Sequence, residues 1–329
     1  MASCFSMTCV FLAFLVVASS LGHVVRHHCY LIQLVLITWL VRTQSPDGDV
    51  IDCVLSHLQP AFDHPALQGQ KPHFVQEDPP EKPKGYKYTE AVAESESFQL
   101  WADSGESCPE GTVPIRRTRQ KDILRASSIT RYGRRHVRRD STGSGHEHAV
   151  AFVKEDEYYG AKASLNVWAP RVSNKYEFSL SQIWVISGSF GNDLNTIEAG
   201  WQDPKHGNWW LELGSGILVG YWPAILFSHL RSHANMIQFG GEIVNSRSSS
   251  GGLHTSTLMG SGHFAQQGFG KAAYFRNLQR VDWDNNLLPI TNFRLLADHS
   301  NCYDITQGRN NLWGTYFYYG GPGRNVRCP

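Results

Sequence analysis

An alternation of apolar and polar side chains that begins at Phe178 and leads into the apolar run Ile183-Trp184-Val185-Ile186 most constrains the fold of this chain. A period of two places successive side chains on opposite faces of an extended backbone, so the run predicts a β-strand with one buried face. Similar short runs, rich in aromatic, β-branched and glycine residues, recur from residue 149 onward. The predicted strands are 149–153, 161–168, 178–186, 208–213, 219–222, 236–244, 254–259 and 272–278. Together they favour a mainly β fold, an antiparallel β-sandwich.

The segment 223–235 interrupts this pattern. Its apolar residues recur at helical spacing, which predicts one short helix. Upstream, residues 45–115 are polar and punctuated by proline, with short strands expected at 86–88, 97–101 and 111–115 and a helical turn within 123–129. We interpret this part as a small N-terminal α+β domain. The basic and Ser/Gly-rich linker 134–145 separates it from a C-terminal domain, 146–329.

The N-terminus has the features of a secretory signal peptide over residues 1–22, with an apolar stretch followed by small residues. A second apolar run, 31–41, is too short to cross a bilayer, so no stable membrane span is expected. Secretion is therefore predicted, with a vacuole as an alternative. The chain is expected to be a monomer.

Five cysteines remain after removal of the signal peptide, and an oxidising compartment would pair four of them. Cys302 and Cys328 form the best candidate pair because both close the C-terminal segment. Cys53 with Cys108 is a second candidate pair, which would leave Cys29 over.

The balance of charge argues against nucleic acid as a partner, because 30 basic and 29 acidic residues leave a net charge of +1. Ten of the basic residues lie between Arg116 and Arg139, which is typical of a solvated linker or of a processing site. No cofactor or metal is expected. In the triplet His146-Glu147-His148 a strand would place both histidines on one face, without a third ligand specified by the spacing.

Two glutamates, Glu198 and Glu242, stand in strand-like surroundings of apolar, aromatic and glycine residues. A carboxylate in such a setting is unfavourable unless it is paired, hydrogen-bonded or used in chemistry. Two carboxylates brought together would share one proton, which is the arrangement of an acid-acting hydrolase. The alternative is that both side chains simply point into water.

Four tryptophans, Trp201, Trp209, Trp210 and Trp222, cluster along the chain. Core packing explains such a cluster, but Trp201 and Trp222 could also form a platform for an extended ligand such as sugar rings or a proline-rich peptide.

Long motifs in both halves resemble the plant neprosin family. In the C-terminal part the similar segments are 146–151, 178–184, 195–202, 207–211, 219–223, 240–242 and 259–264, and in the N-terminal part they are 45–53, 59–65 and 108–117. The N-terminal motifs resemble the neprosin activation peptide, which places that domain at 45–133.

The resemblance implies a secreted glutamic endopeptidase that cleaves proteins and peptides on the carboxyl side of proline. Its precursor would be held inactive by its own activation peptide and released in acid. Carried over by motif, the catalytic pair would be Glu198 and Glu242, with one carboxylate activating water and the other polarising the carbonyl.

The chain departs from the family pattern at one point. Trp201-Gln202 runs directly into Asp203-Pro204, where relatives carry a further internal segment, so part of the sheets is expected to be missing. This shortening keeps a second hypothesis open, namely an inactive β-sandwich that binds cell-wall polysaccharide or peptide through its tryptophans.

Overall fold

The computed structural model describes residues 42–69, 80–85, 99–103, 105–125, 145–189, 193–214, 216–246 and 252–329. The predicted signal peptide, the apolar run 31–41, Cys29, the strand 86–88 and the linker up to residue 144 lie outside these residues. The chain forms two compact units. One comprises Met1–Phe74 and Glu94–Thr118, and the other comprises Val75–Ala93 and Arg119–Pro329.

The first unit contains a three-stranded antiparallel sheet with the order β1-β2-β3. The strands are β1 Arg42–Gln44, β2 Val50–Leu55 and β3 Thr112–Arg116. A disulfide joins Cys53 of β2 to Cys108. Arg117 donates two hydrogen bonds of 2.6 Å to the carboxylate of Asp52, a bidentate pair that ties the end of β3 to β2. In the described part of this unit four short 3-10 helices lie between β2 and β3.

The second unit consists almost entirely of antiparallel strands. Its elements are α1 Gln120–Arg125, β4 His146–Tyr158, β5 Gly160–Leu165, β6 Ser179–Ser189, β7 Asp193–Ile197, β8 Gly200–Gln202, β9 Trp209–Leu213, β10 Ile217–Trp222, β11 Ala234–Val244, β12 Ala273–Val281, β13 Leu287–Pro289, β14 Arg294–Ala297, β15 Asp304–Asn310 and β16 Gly314–Gly320.

Two sheets form this unit. An eight-stranded sheet has the order β10-β9-β8-β5-β12-β16-β15, with β13 paired to β12, and a five-stranded sheet has the order β14-β4-β11-β6-β7. The buried core draws apolar side chains from both sheets, for example Val185 and Phe239 from one and Phe275 and Phe317 from the other. The predicted mainly β, antiparallel fold is therefore confirmed.

Alternation along β11 decides which side chains enter this core. Ile237, Phe239 and Ile243 face the other sheet and are almost fully buried. The intervening residues, Gln238 and Glu242 among them, consequently face the opposite side of the five-stranded sheet. A small apolar group that includes Trp184 covers part of that outer side.

Three predicted elements are wrong. The described end of the strand expected at 97–101 is the 3-10 turn Leu100–Ala102. The helix in 223–235 is only a 3-10 turn, Ala224–Leu226, because its later backbone groups bond elsewhere. The amides of His229 and Leu230 donate to Asn195 Oδ1, and the carbonyl of Leu230 accepts from the indole of Trp209. The strand predicted at 254–259 is an irregular segment, in which the Thr255 and Thr257 hydroxyls donate to the buried carboxylate of Glu177.

The junction Gln202–Asp203 forms a hydrogen-bonded hairpin turn between β8 and β9. Gln202 pairs with Trp209, and the amide of Asp203 donates to the carbonyl of Asn208. The Asp203 carboxylate also accepts from the amide of His206 at 3.1 Å. The shortened connection is therefore closed by regular turn chemistry.

The C-terminal segment is closed by a disulfide between Cys302 and Cys328, the pair expected from the sequence. No helix among the described residues is long and apolar enough to cross a membrane.

Candidate active site

Glu242 lies on β11, the central strand of the five-stranded sheet. It is opposite His148 of β4 on one side and Leu180 of β6 on the other. Although it faces away from the sandwich core, the residue is only 6% exposed. A carboxylate so poorly hydrated needs partners, and the sheet provides them.

Two histidines from β4 contact the Glu242 carboxylate. His146 Nδ1 lies 2.5 Å from Glu242 Oε1, and His148 Nε2 lies 3.5 Å from the same oxygen. Burial alone would raise the pKa of Glu242, but the hydrogen bonds and positive charge of these imidazoles outweigh it and hold the pKa far below its usual range. The Glu242 side chain is therefore held as a carboxylate even in acid.

Asp298, which follows β14, fixes the orientation of His148. Its Oδ2 accepts a hydrogen bond of 2.9 Å from the His148 amide and lies 2.8 Å from His148 Nδ1. Because an ionised carboxylate only accepts hydrogen bonds, Nδ1 donates to Asp298, and Nε2 must also carry a proton when His148 lends positive charge to Glu242. Sequence reasoning missed Asp298, and its separation of 150 residues from His148 offered no local signal.

Glu198 lies in a different environment. It follows the last residue of β7 and is exposed. Its neighbours form an apolar groove of about 530 Å³, lined by Glu198, Trp201, Gln182, Ile183, Ala161, Ala163, Leu211 and Pro83 among others.

The structure does not bring Glu198 and Glu242 together. Ile197 of β7 pairs with Val185 of β6, which in turn pairs with Ile237 of β11. The next residue of the chain, Glu198, is therefore level with Gln238 across the sheet. Glu242 lies four residues farther along β11. At about 3.3 Å per residue and about 4.8 Å between strands, the two backbone positions are about 16 Å apart. In this arrangement the two side chains do not share a proton directly.

The two tryptophans predicted to bind substrate have different positions. Trp201 is 7% exposed, lines the groove and donates a hydrogen bond of 3.1 Å from Nε1 to the carbonyl of Glu81. Trp222 is half-buried and packs against the core. The clustered tryptophans thus serve mainly as core residues, and only Trp201 borders the groove.

Residues 80–85 belong to the same unit although they are upstream in the sequence. Pro80 and Pro83 are buried, and Pro83 lines the groove. The amide of Lys84 donates 2.7 Å to the carbonyl of Asn285, and the carbonyl of Lys84 accepts 2.9 Å from the amide of Leu287. The segment is therefore held by a single parallel β-bridge between Lys84 and Asn286.

A salt bridge adds to this attachment. Lys82 Nζ lies 2.6 Å from Glu212 Oε2, and the Glu212 side chain is only 8% exposed. Lys84 also pairs with Asp284 at 3.2 Å, but both of these side chains are more than half exposed, so that pair contributes little.

Two family models match the chain. The model described as Neprosin matches residues 201–322, and the model described as Neprosin activation peptide matches residues 42–152. Glu242 lies within the first match and the segment 80–85 within the second, whereas Glu198 falls between the two. The chain therefore belongs to the neprosin family and is a peptidase precursor that carries its own activation peptide.

Proposed function

We propose that this precursor yields a secreted endopeptidase that cleaves after proline in acid, using Glu198, Glu242 and a water molecule. The observation that carries the proposal is the pairing of Glu242 with His146 and His148. A general base must stay ionised at the working pH. Glu242 meets this condition in acid, where most carboxylates lose their charge, which suits an enzyme of the apoplast or the vacuole.

The open edge of β6 gives a peptide substrate a place to bind. Strand β7 pairs only with residues 185–189 of β6, so within the described residues 179–184 have no strand neighbour on the side away from β11. An extended peptide can add to such an edge through backbone hydrogen bonds. Because the groove borders this edge, a bound peptide would pass Glu198.

Gln182 is a candidate to hold the reacting carbonyl. It pairs with Gly240, between the levels of Glu242 and Glu198 in the sheet, and it lines the groove. Its Nε2 is buried and has no hydrogen-bond partner among the described residues. An unpaired amide donor can donate to the oxygen on which charge develops during attack by water.

The docked segment 80–85 supports both proline preference and inhibition by the activation peptide. Pro83 lines the groove, and Pro80, three residues earlier, is also buried. A surface that buries two prolines can accept a proline-containing substrate once this segment leaves.

Single and double substitutions test the roles of the two glutamates. We expect Glu198→Gln and Glu242→Gln each to abolish acid-dependent cleavage of a proline-containing peptide after activation. If the two act as one unit, the double variant is no worse than either single variant. Glu157→Gln, an exposed carboxylate on β4, is the matched control and should keep full activity. Wild-type rates in the Glu242→Gln variant would contradict the proposal.

The separation of the two glutamates favours a second candidate, a peptide-binding protein without turnover. At a backbone distance of about 16 Å the two carboxylates do not both reach one peptide bond in this arrangement. In this case a proline-rich peptide binds to the activated wild type without cleavage, and neither Gln variant changes its affinity. Cleavage by the wild type excludes this candidate.

A further inference from the structure

A second group of ionisable side chains lies on the other face of β4. Glu147 points away from His146 and His148, toward the sandwich interior, and is 2% exposed. His254 Nε2 lies 2.9 Å from both of its carboxylate oxygens, and His299 Nδ1 lies 3.0 Å from Oε2. The three ligand atoms are within 4.8 Å of one another.

The second nitrogen of His254 fixes its orientation. Nδ1 lies 2.9 Å from the carbonyl oxygen of Thr255, and since a carbonyl only accepts, Nδ1 carries the proton. In a neutral imidazole the lone pair of Nε2 would then face the Glu147 carboxylate directly. A cation must therefore act between them, either a second proton on the ring or a metal ion.

The surroundings resemble the outer shell of a metal site. Metal-binding histidines usually donate their other nitrogen to a carbonyl or carboxylate, and metal-binding carboxylates are themselves hydrogen-bonded. Here His254 donates to Thr255, and Glu147 Oε1 accepts a hydrogen bond of 3.0 Å from Asn245 Nδ2. The His299 side chain is 56% exposed, so an ion and a water molecule can reach the group from solvent.

We propose that Glu147, His254 and His299 bind one divalent zinc ion, with a water molecule in the fourth position. Two imidazoles, one carboxylate and one open position form a common tetrahedral donor set for zinc. Zinc ligands in a tetrahedron lie about 3.3 Å apart, so binding opens the present contacts by only a few tenths of an ångström. His299 can move by this small distance because it is on an exposed turn.

The proposed ion would join three segments that are distant in sequence: the start of β4, the irregular segment at His254 and the turn after β14. The nearby residues Cys302 and Cys328 form a disulfide, so their sulfur atoms are not ligands. Protons compete with the metal for both imidazoles, so affinity should fall steeply as the solution becomes acidic.

Metal titration of the whole purified chain tests this site without reference to activity. The chain is stripped with a chelator, and then Zn²⁺ is added at neutral pH while heat of binding and melting temperature are recorded. Co²⁺ serves as a spectroscopic probe, because tetrahedral N/O coordination gives intense visible bands. We expect one ion bound per chain, a rise in melting temperature and loss of the Co²⁺ bands in acid.

Two variants make the result specific. His299→Ala should lower the affinity at least tenfold while the fold, checked by circular dichroism, is retained. His229→Ala is the matched control, since His229 also contacts a carboxylate, that of Asp193 at 2.9 Å, and is similarly accessible at 41%. Binding that is absent in the wild type, or equal in the wild type and His299→Ala, overturns the proposal.

Discussion

The environment of Glu242 leads to a pH-dependent stability difference that can be worked out from its contacts. Replacement by glutamine keeps the shape but removes the charge that His146 and His148 contact. Hydrogen bonds to charged groups contribute about 1.5–3 kcal/mol each, and only the 2.5 Å contact with His146 is of full strength. Relief of carboxylate desolvation offsets part of this loss, so we expect a net destabilisation of about 2 kcal/mol.

The sign of the pH dependence follows from the direction of the pKa shift. Because the folded protein holds the pKa of Glu242 below its ordinary value, the ionised carboxylate stabilises the fold at every pH above about 4.3. That contribution is lost only as the pH falls toward the lowered pKa of the folded state. The stability gap between wild type and Glu242→Gln should therefore persist at about pH 4, where an ordinary glutamate is half protonated.

Thermal unfolding of both chains between about pH 7 and about pH 3.5 measures this gap, and a difference of about 2 kcal/mol corresponds to roughly 4–8 °C for a unit of this size. Glu157→Gln, in which the replaced carboxylate is exposed, should stay within about 0.5 kcal/mol of the wild type throughout. A gap that closes between about pH 5 and about pH 4 would refute the reasoning, because it would mean that Glu242 titrates as an ordinary or proton-sharing carboxylate.

Two further changes test the attachment of segment 80–85 and the packing under Glu242. Lys82→Ala leaves Glu212 without its 2.6 Å partner and should weaken attachment by about 1–2 kcal/mol, seen as faster hydrogen exchange in residues 80–85 and higher precursor activity. Lys84→Ala should change either readout little, and equal effects of the two variants would contradict this account. Gly240→Ala should destabilise the second unit by at least about 3 kcal/mol in chemical denaturation, because φ is +147° and an added Cβ would lie 2.2 Å from the carbonyl oxygen of Ala149. Gly268→Ala, with φ +67° but open space around it, should lose only about 1–2 kcal/mol, and similar losses at both sites would show that crowding is not the cause.

Much of the sandwich could be predicted because its strands alternate with period two. In the run 178–186 the core-facing residues are Ile183 and Val185, whereas Leu180 packs against the small apolar group on the outer side. The strand could therefore be predicted from the pattern, but its buried face could not. The helix predicted near Leu230 failed because apolar spacing says nothing about where backbone groups bond. There the amide of Leu230 bonds to a side chain of another strand, and its carbonyl bonds to a tryptophan indole.

The candidate site was predictable only in part. Glu242 stands out in the sequence because an acidic residue interrupts an apolar strand, and the prediction that His146 and His148 share a face agrees with their contacts to it. Asp298 could not be found from local pattern, since only the pairing of β14 with β4 brings it to His148. The placement of Glu198 depends on strand register, which a single sequence does not specify.

The attachment of segment 80–85 has a consequence for how activity would first appear. If the precursor is cut in the linker 134–145, the covalent connection is severed, but the salt bridge of Lys82 and the backbone bonds of Lys84 are untouched. The severed piece would remain as a tightly held ligand of its former partner. The appearance of peptidase activity would then depend on how fast this piece dissociates and on how far the sample is diluted. Activity would therefore rise later than the cleavage of the linker.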